Sequence, residues 1–293
     1  MPTVAITGAS GFVGGHLVDH FAGRGWDVVA LARSPVAGGE RVRWARYDLA
    51  AAPPEQLLAG VDALVHAAYV KADASPDAYR LNVDGTAALL RARRAAGVSR
   101  AVFLSSLSAR PGATSIYARQ KLEAEACFAA DGDAVIRAGL VLGPGGLVGD
   151  TVALMRRVRV VPLIGGGRQP VQPVGVEDLA TIVERIVTRD DLTGTYVVAE
   201  PTPTTAAALY RAIARAIGLR VLFVPVPGWT ALLAVRAARR LHRRLPVSED
   251  NLRGLDEAAV VDSAPSLARL GVQLAPVDAL VSRSRWAASA RRA

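Results

Sequence analysis

Short, nearly unbroken apolar runs recur in the first half of the chain at residues 4–7, 27–31, 63–66, 101–104 and 134–137. Each is too short for a helix and is bounded by glycine or polar residues, the signature of a buried strand. Segments with helical spacing separate several of them, at 14–22, 76–96 and 117–130. Strands that are apolar on both faces and alternate with helices predict an α/β fold with a parallel sheet covered on both sides. After Gly143 the pattern loosens around "GPGGLVGD" and "IGGGRQPVQP", with a short helix expected near 151–157. Helical spacing returns over 174–187, a strand is expected at 194–199, and from about residue 201 the chain reads as mainly helical with a strand near 221–224. The expected division is a nucleotide-type domain at 1–145, to which 172–200 returns, and a smaller, mainly helical region at 146–171 and 201–293 on the substrate side of a cleft.

Composition narrows the classes. With 51% hydrophobic and 21% charged residues among 293, the chain can bury a large core. Its single cysteine, Cys127, excludes an intramolecular disulfide framework and a cysteine-rich metal site, so no metal is expected and a reducing compartment fits. No basic leader with an apolar core opens the chain and no long uncharged apolar stretch follows, which predicts a cytoplasmic protein. The net charge of +9 comes from arginines that are mostly dispersed, apart from a cluster at 236–244. Without a recognised motif or aromatic-interleaved basic patch, nucleic acid is not an expected partner.

The chemistry begins in "VAITGASGFVGGHLV", which sets Gly8, Gly11 and Gly14 between the first strand and the first helix. Glycines there allow a tight turn and let backbone N–H groups approach a pyrophosphate, which the positive end of the helix also favours. Thr7, Gly8, Ser10, Gly11, Phe12, Val13 and Gly14 are therefore candidate cofactor-binding residues of a Rossmann-type, doubly wound sheet. An acid at the end of the second strand would bind a ribose 2′-hydroxyl, whereas a cation accommodates a 2′-phosphate. The chain has "VVALARSP", so Arg33 favours NADPH over NADH, with NAD as the alternative cofactor. Asp48 and Leu49 in "YDL" are candidates for the adenine side, and His66, Ala67 and Ala68 in "HAAY" lie where ligands of open α/β sheets bind. His66 alone reads more readily as a satisfied, half-buried histidine than as a catalyst.

In "SIYARQKLEAE", Tyr117 and Lys121 stand four apart and so share one helical face. A free tyrosine has a pKa of roughly 10 and is a poor base until a neighbouring cation lowers it. Lys121 can supply that cation, and Ser105, Ser106 or Ser108 in "FLSSLSAR" can hold a substrate carbonyl while Tyr117 moves the proton. The competing reading is an ordinary solvated turn of helix.

With these stretches in hand, the chain resembles the extended or atypical short-chain dehydrogenase/reductase family, also called the NAD-dependent epimerase/dehydratase family. The resemblance rests on "TGASGFVG", "YDL", "HAA", "LNVDGTAALLRAR", "FLSS", "YARQK", "VIRAGLVLGPG", "PVGVEDLA" and "DSAPSLARLG", in family order over nearly the whole chain. It implies that Tyr117 is the acid/base, that Lys121 binds the nicotinamide ribose and depresses the tyrosine pKa, and that Ser106 polarises the substrate oxygen. It further implies that Asn82 lies beside the active site and that Gly139, Leu140 and Val141 run past the nicotinamide. Many members have proline at the position of Ala138, a departure that bears on the local turn. The stretch "VPLIGGGRQPVQPVGVEDLA" is similar to a branch that includes relatives of the NADPH-binding accessory subunit of respiratory complex I. A homodimer through the segments 76–96 and 117–130 is a family expectation.

Three functions follow from this reading. The first is an NADPH-preferring oxidoreductase acting on the carbonyl or secondary alcohol of a small, fairly apolar molecule. The second is a nucleotide-sugar epimerase or dehydratase, against which the missing acid at Arg33 counts. The third is a non-catalytic NADPH-binding sensor or assembly subunit. Separately, "PGWTALLAVRAARRLHRRLP" predicts an amphipathic helix over 229–245 that either packs on its own domain with a solvated arginine face or makes peripheral contact with an anionic membrane.

Overall fold

The computed structural model describes residues 1–51, 53–71, 77–240, 249–284 and 286. The chain begins as β1 (Thr3–Thr7), α1 (Phe12–Gly23), β2 (Asp27–Ala32), β3 (Val42–Arg46), β4 (Ala63–His66), α2 (Ala78–Ala95), β5 (Arg100–Ser106), α3 (Ile116–Ala130) and β6 (Ala134–Ala138). It continues through β7 (Leu140–Leu142), α4 (Gly146–Val158), β8 (Val160–Ile164), β9 (Pro170–Val171), β10 (Pro173–Gly175), α5 (Val176–Val187) and β11 (Gly194–Val198). The remainder holds β12 (Thr204–Thr205), α6 (Ala206–Ala216), β13 (Leu222–Val226), α7 (Gly228–Arg240), α8 (Glu249–Asp256), α9 (Ala264–Leu270) and α10 (Val277–Arg283).

Seven strands form one parallel sheet in the order β11-β6-β5-β4-β1-β2-β3. The order reverses between β1 and β4, so the crevice at their carboxyl ends is where a doubly wound sheet takes its ligand. Each central strand is buried on both faces, as Val4, Ile6, Leu64 and Val65 illustrate at 0% exposure. One core layer, with Leu17, Phe21, Val183 and Ile186, lies under α1 and α5. The other, with Leu89, Leu90, Phe103 and Phe128, lies under α2 and α3. A third cluster gathers Val152, Met155, Leu163, Leu209, Ile213 and Val281 from the later elements.

Several boundaries differ from the sequence expectation for physical reasons. Helical spacing over 174–187 hid a strand, because residues 173–175 pair with β7 as β10 before α5 begins at Val176. The glycine-rich turn before 151 is instead the first turn of α4, since Gly143, Gly145 and Gly146 all abut the Phe12 ring and a side chain at Gly145 would start 2.5 Å from it. β3, the third strand expected before "YDL", carries no unbroken apolar run because it is an edge strand with exposed Arg43, Trp44 and Arg46. Pro76 lies outside the described residues, and α2 covers Ala78–Ala95 of the expected 76–96. Of the expected basic helix 229–245, α7 covers the part to Arg240, and residues 241–245 lie outside the described residues.

Candidate active site

The glycine loop is built by close approach. Gly8 has φ +69°, and a Cβ on it would lie 2.8 Å from the Ala68 backbone, so the loop rests directly on the end of β4. At Gly14 a Cβ would lie 2.1 Å from the Gly8 carbonyl oxygen, which leaves no room for any side chain there. The Gly11 N–H closes the turn onto the Gly8 carbonyl at 2.8 Å. Gly11 is also the N-cap of α1 and brings no side-chain cap, so the N–H groups of the first turn, at Phe12 and Val13, face outward for an anion. Ser10 is exposed on the same loop. A pyrophosphate fits this cradle, because backbone donors and the positive helix end converge where no Cβ intrudes.

Beneath the loop, a closed chain of hydrogen bonds fixes the strand ends. Ala67 and Ala68 each donate an N–H to Thr7 Oγ1 at 3.2 Å, and Thr7 Oγ1 lies 2.7 Å from His66 Nδ1. His66 Nε2 lies 2.9 Å from Thr86 Oγ1, whose single proton goes to the Asn82 carbonyl at 2.6 Å. Thr86 must therefore accept from Nε2–H, which leaves Nδ1 to accept from Thr7 and fixes a neutral tautomer. Burial, reinforced by Lys121, lowers the His66 pKa to about 3. The ring stacks 5.4 Å from Phe103 and is 1% exposed, so its imidazole is withdrawn from any ligand and only the strand end above it, at Ala67 and Ala68, can approach a cofactor.

On the adenosine side, Arg33 is exposed just past β2 and, among the described residues, has no ion-pair or hydrogen-bond partner. β3 places exposed Arg46 in register with Ala32, the residue before Arg33, and so adds a second arginine at this edge that the sequence alone did not single out. Asp48 is exposed and accepts from the Ala50 N–H at 3.1 Å, which shapes its own turn. Leu49 is buried, and a Cβ on Gly85 of α2 would sit 2.4 Å from its carbonyl oxygen.

At the carboxyl end of β5 the three serines separate. Ser105 points inward and donates to Glu125, which holds Arg137 through two oxygens at 2.7 to 3.1 Å. The Ser106 hydroxyl accepts from the Ser108 N–H at 3.2 Å and is near enough to the Tyr117 hydroxyl to act on its pKa. The helix presenting Tyr117 starts cleanly: Ser115 caps α3 by accepting from the Ala118 N–H at 3.2 Å. Asp250 of α8 adds a second cap, its two oxygens accepting from the Ile116 and Tyr117 N–H groups at 2.6 and 3.0 Å. Glu257, just past the end of α8, accepts from the Thr114 N–H at 2.9 Å. No sequence signal pointed to these carboxylates, because α8 lies more than a hundred residues downstream.

Tyr117 is half-buried, and burial raises its pKa while the Ser106 hydroxyl opposes that rise. The expectation that Lys121 depresses it is corrected here. Lys121 Nζ donates to the Leu104 carbonyl at 2.7 Å and lies 4.6 Å from the Phe103 ring centre and 5.3 Å from that of Tyr69. Burial lowers the ammonium's own pKa to about 7, with Glu125 pulling the other way. The cation is thus turned toward the Leu104 carbonyl and away from the Tyr117 hydroxyl in this arrangement.

Asn82 clamps the strand-to-helix connection rather than facing the reacting end. Its amide pairs with both backbone groups of Val70 at 2.8 Å and donates to Gln120 Oε1 at 2.9 Å. Gln120 also accepts from the Tyr69 hydroxyl at 2.9 Å, and the Tyr69 ring meets Tyr117 edge-on at 5.0 Å. Gln120 was another residue the sequence reading passed over. At the opposite wall, Gly139 leaves β6 with its N–H on the Val198 carbonyl at 2.9 Å, and a Cβ there would sit 2.0 Å from the Gln172 oxygen. Ala138 extends β6 without a break, and Leu140 and Val141 turn into β7. Among the described residues no cluster of metal-ligating side chains occurs.

The NAD dependent epimerase/dehydratase family model matches residues 4–199. A ceramide reductase of Caulobacter vibrioides is 37% identical over 188 residues, 60% of this chain and 58% of that protein. The chain therefore spans less than two thirds of the length of that relative. Among solved structures, MoeE5 in complex with UDP-glucuronic acid and NAD superposes with a TM-score of 0.77 at 22% identity, covering 97% of this chain and 98% of that one. The human epimerase family protein SDR39U1 with NADPH superposes at 0.74 with 21% identity, covering 96% and 98%. At these identities the likeness is one of fold.

Proposed function

Because the chain belongs to the NAD dependent epimerase/dehydratase family of enzymes, we propose that it is an NADPH-preferring reductase acting on the carbonyl of a small, fairly apolar molecule. The observation that carries this reading is the placement of Tyr117, in the first turn of α3, beside Ser106 at the carboxyl end of β5, across the switch point from the glycine cradle. A relative named for the reduction of a ceramide supports the direction and the apolar substrate class. Residues 146–171 and 201–293 would supply the substrate side of the cleft.

The bound nicotinamide cofactor supplies the hydride chemistry. Gly8, Gly11, Phe12, Val13 and Gly14 would hold its pyrophosphate through backbone N–H groups, and Arg33 with Arg46 would pair with a 2′-phosphate. Ser106 donates a hydrogen bond to the substrate oxygen and fixes the carbonyl. Tyr117, kept proton-loaded by burial, gives its hydroxyl proton to that oxygen as negative charge develops on it. Lys121 must leave the Leu104 carbonyl to reach a cofactor ribose, and its arrival beside Tyr117 would favour the phenolate and so ease the proton's departure.

Separate titrations with NADPH and NADH, made after assaying the purified protein for nucleotide already bound, test the assignment. NADPH should bind at least about tenfold more tightly, the preference should vanish in Arg33→Ala, and Tyr117→Phe should retain cofactor while losing turnover of ketone substrates. Copurified NAD, or preference for NADH, would overturn it in favour of an epimerase or dehydratase.

A further inference from the structure

The helix α7 is unlike every other long helix in the molecule. None of its described side chains is buried, although Trp229, Leu232, Leu233 and Val235 are strongly apolar. Trp229 is 67% exposed and Leu233, one turn on, is 55% exposed. Such surface costs free energy in water and ordinarily marks a partner. The strand that leads into it, β13, carries the same character: Leu222 and Val224 face outward at 64% and 37% exposure, while Phe223 between them packs on the third core cluster. Only Pro227 separates β13 from α7.

Charge identifies the partner. From residue 201 to residue 248 the chain carries eight arginines and no aspartate or glutamate. Arg236, two turns beyond Trp229 on the exposed side, reaches toward Glu249 of α8 at 3.5 Å but remains half-exposed. A protein partner would ordinarily be recognised through donors and acceptors together, and apart from its arginines α7 offers almost no polar side chain. Its one hydroxyl, on Thr230, is spent on the Pro227 carbonyl at 2.7 Å. An apolar tryptophan and leucine face in a segment whose own charge is wholly basic, its nearest acid being Glu249 at the start of α8, matches the boundary between acyl chains and phosphate headgroups.

We propose that α7, with the outward face of β13, is a peripheral docking surface for an anionic lipid membrane. Trp229 and Leu233 insert at the acyl boundary, and Arg236 beside them exchanges Glu249 for a headgroup phosphate. The placement is useful to the enzyme. α8, which packs against α7, also caps the first turn of α3 through Asp250, so the docked face and Tyr117 share one end of the molecule. The surface stands on its own evidence and does not depend on the choice between reductase and epimerase.

The test is cosedimentation of the full-length protein with vesicles of phosphatidylcholine alone and of phosphatidylcholine with phosphatidylglycerol, followed by the fluorescence of Trp229 against a Trp229→Phe control. Partition should be about tenfold higher on the anionic vesicles and fall severalfold in high salt, with a blue shift that Trp229→Phe removes. The double variant Trp229→Ser, Leu233→Ser should lose binding while keeping its circular dichroism spectrum and melting temperature. Equal recovery with neutral and anionic vesicles, or binding unchanged in the double variant, would overturn the proposal. So would a dimer in sedimentation velocity that the double variant splits in the absence of vesicle binding, because a second copy would then be the occupant.

Discussion

The glycine loop with its underlying strands and the α7–α8 segment are held by different physics. In the first, backbone meets backbone without space for a methyl group, and every polar group from Thr7 through His66 to Thr86 has its partner inside the fold. In the second, a helix with no buried side chain among its described residues packs against α8, which reaches the start of α3 through Asp250, while Glu257 just past α8 holds Thr114. The glycine loop is shaped by exclusion and tolerates little change, whereas the α7–α8 segment meets the start of α3 through a few polar contacts and can adjust.

The sharpest way to break this contrast is Gly14→Ala. The new Cβ would fall 2.1 Å from the Gly8 oxygen, and neither backbone segment can retreat without opening the turn. Destabilisation of about 3 kcal/mol in urea denaturation is expected, with NADPH affinity lost together with the loop.

A smaller effect should come from Lys121. Its pKa is about 7 folded and 10.5 in its ordinary state, so between those values the unfolded chain carries the extra proton and stability rises with pH. Below about pH 7 both states are protonated and the burial penalty is complete. The wild type should therefore become steadily more stable relative to Lys121→Met from pH 7 to 10, measured by denaturation at each pH. A pH-independent difference would show that Lys121 is not buried as a cation.

The mildest test falls on the substrate side. Asp250→Ala removes both acceptors from the Ile116 and Tyr117 N–H groups, but Ser115 still caps α3. A loss of about 1 kcal/mol is expected, with kcat falling more than KM rises because Tyr117 is left in place but less firmly aimed. Asp250→Asn, which keeps one acceptor oxygen, should restore part of it.

Much of this architecture was readable from local pattern. The apolar runs at β1, β2, β4, β5 and β6 and the glycine spacing before α1 located the sheet and the cradle, because buried parallel strands and tight turns constrain residue type at each position. Tyr117 with Lys121 was legible as a pair for the same reason, being four residues apart on one helix. What each side chain touches was not. Ser105 and Ser106 are equivalent in the sequence, and alternation along β5 sends one to Glu125 and the other to Tyr117. Lys121 turns to the Leu104 carbonyl, His66 closes on Thr7 and Thr86, and Asp250 caps a helix more than a hundred residues earlier. Those outcomes depend on contacts between elements distant along the chain, where register, burial and the need to satisfy each buried polar group select one arrangement from many that the local sequence allows.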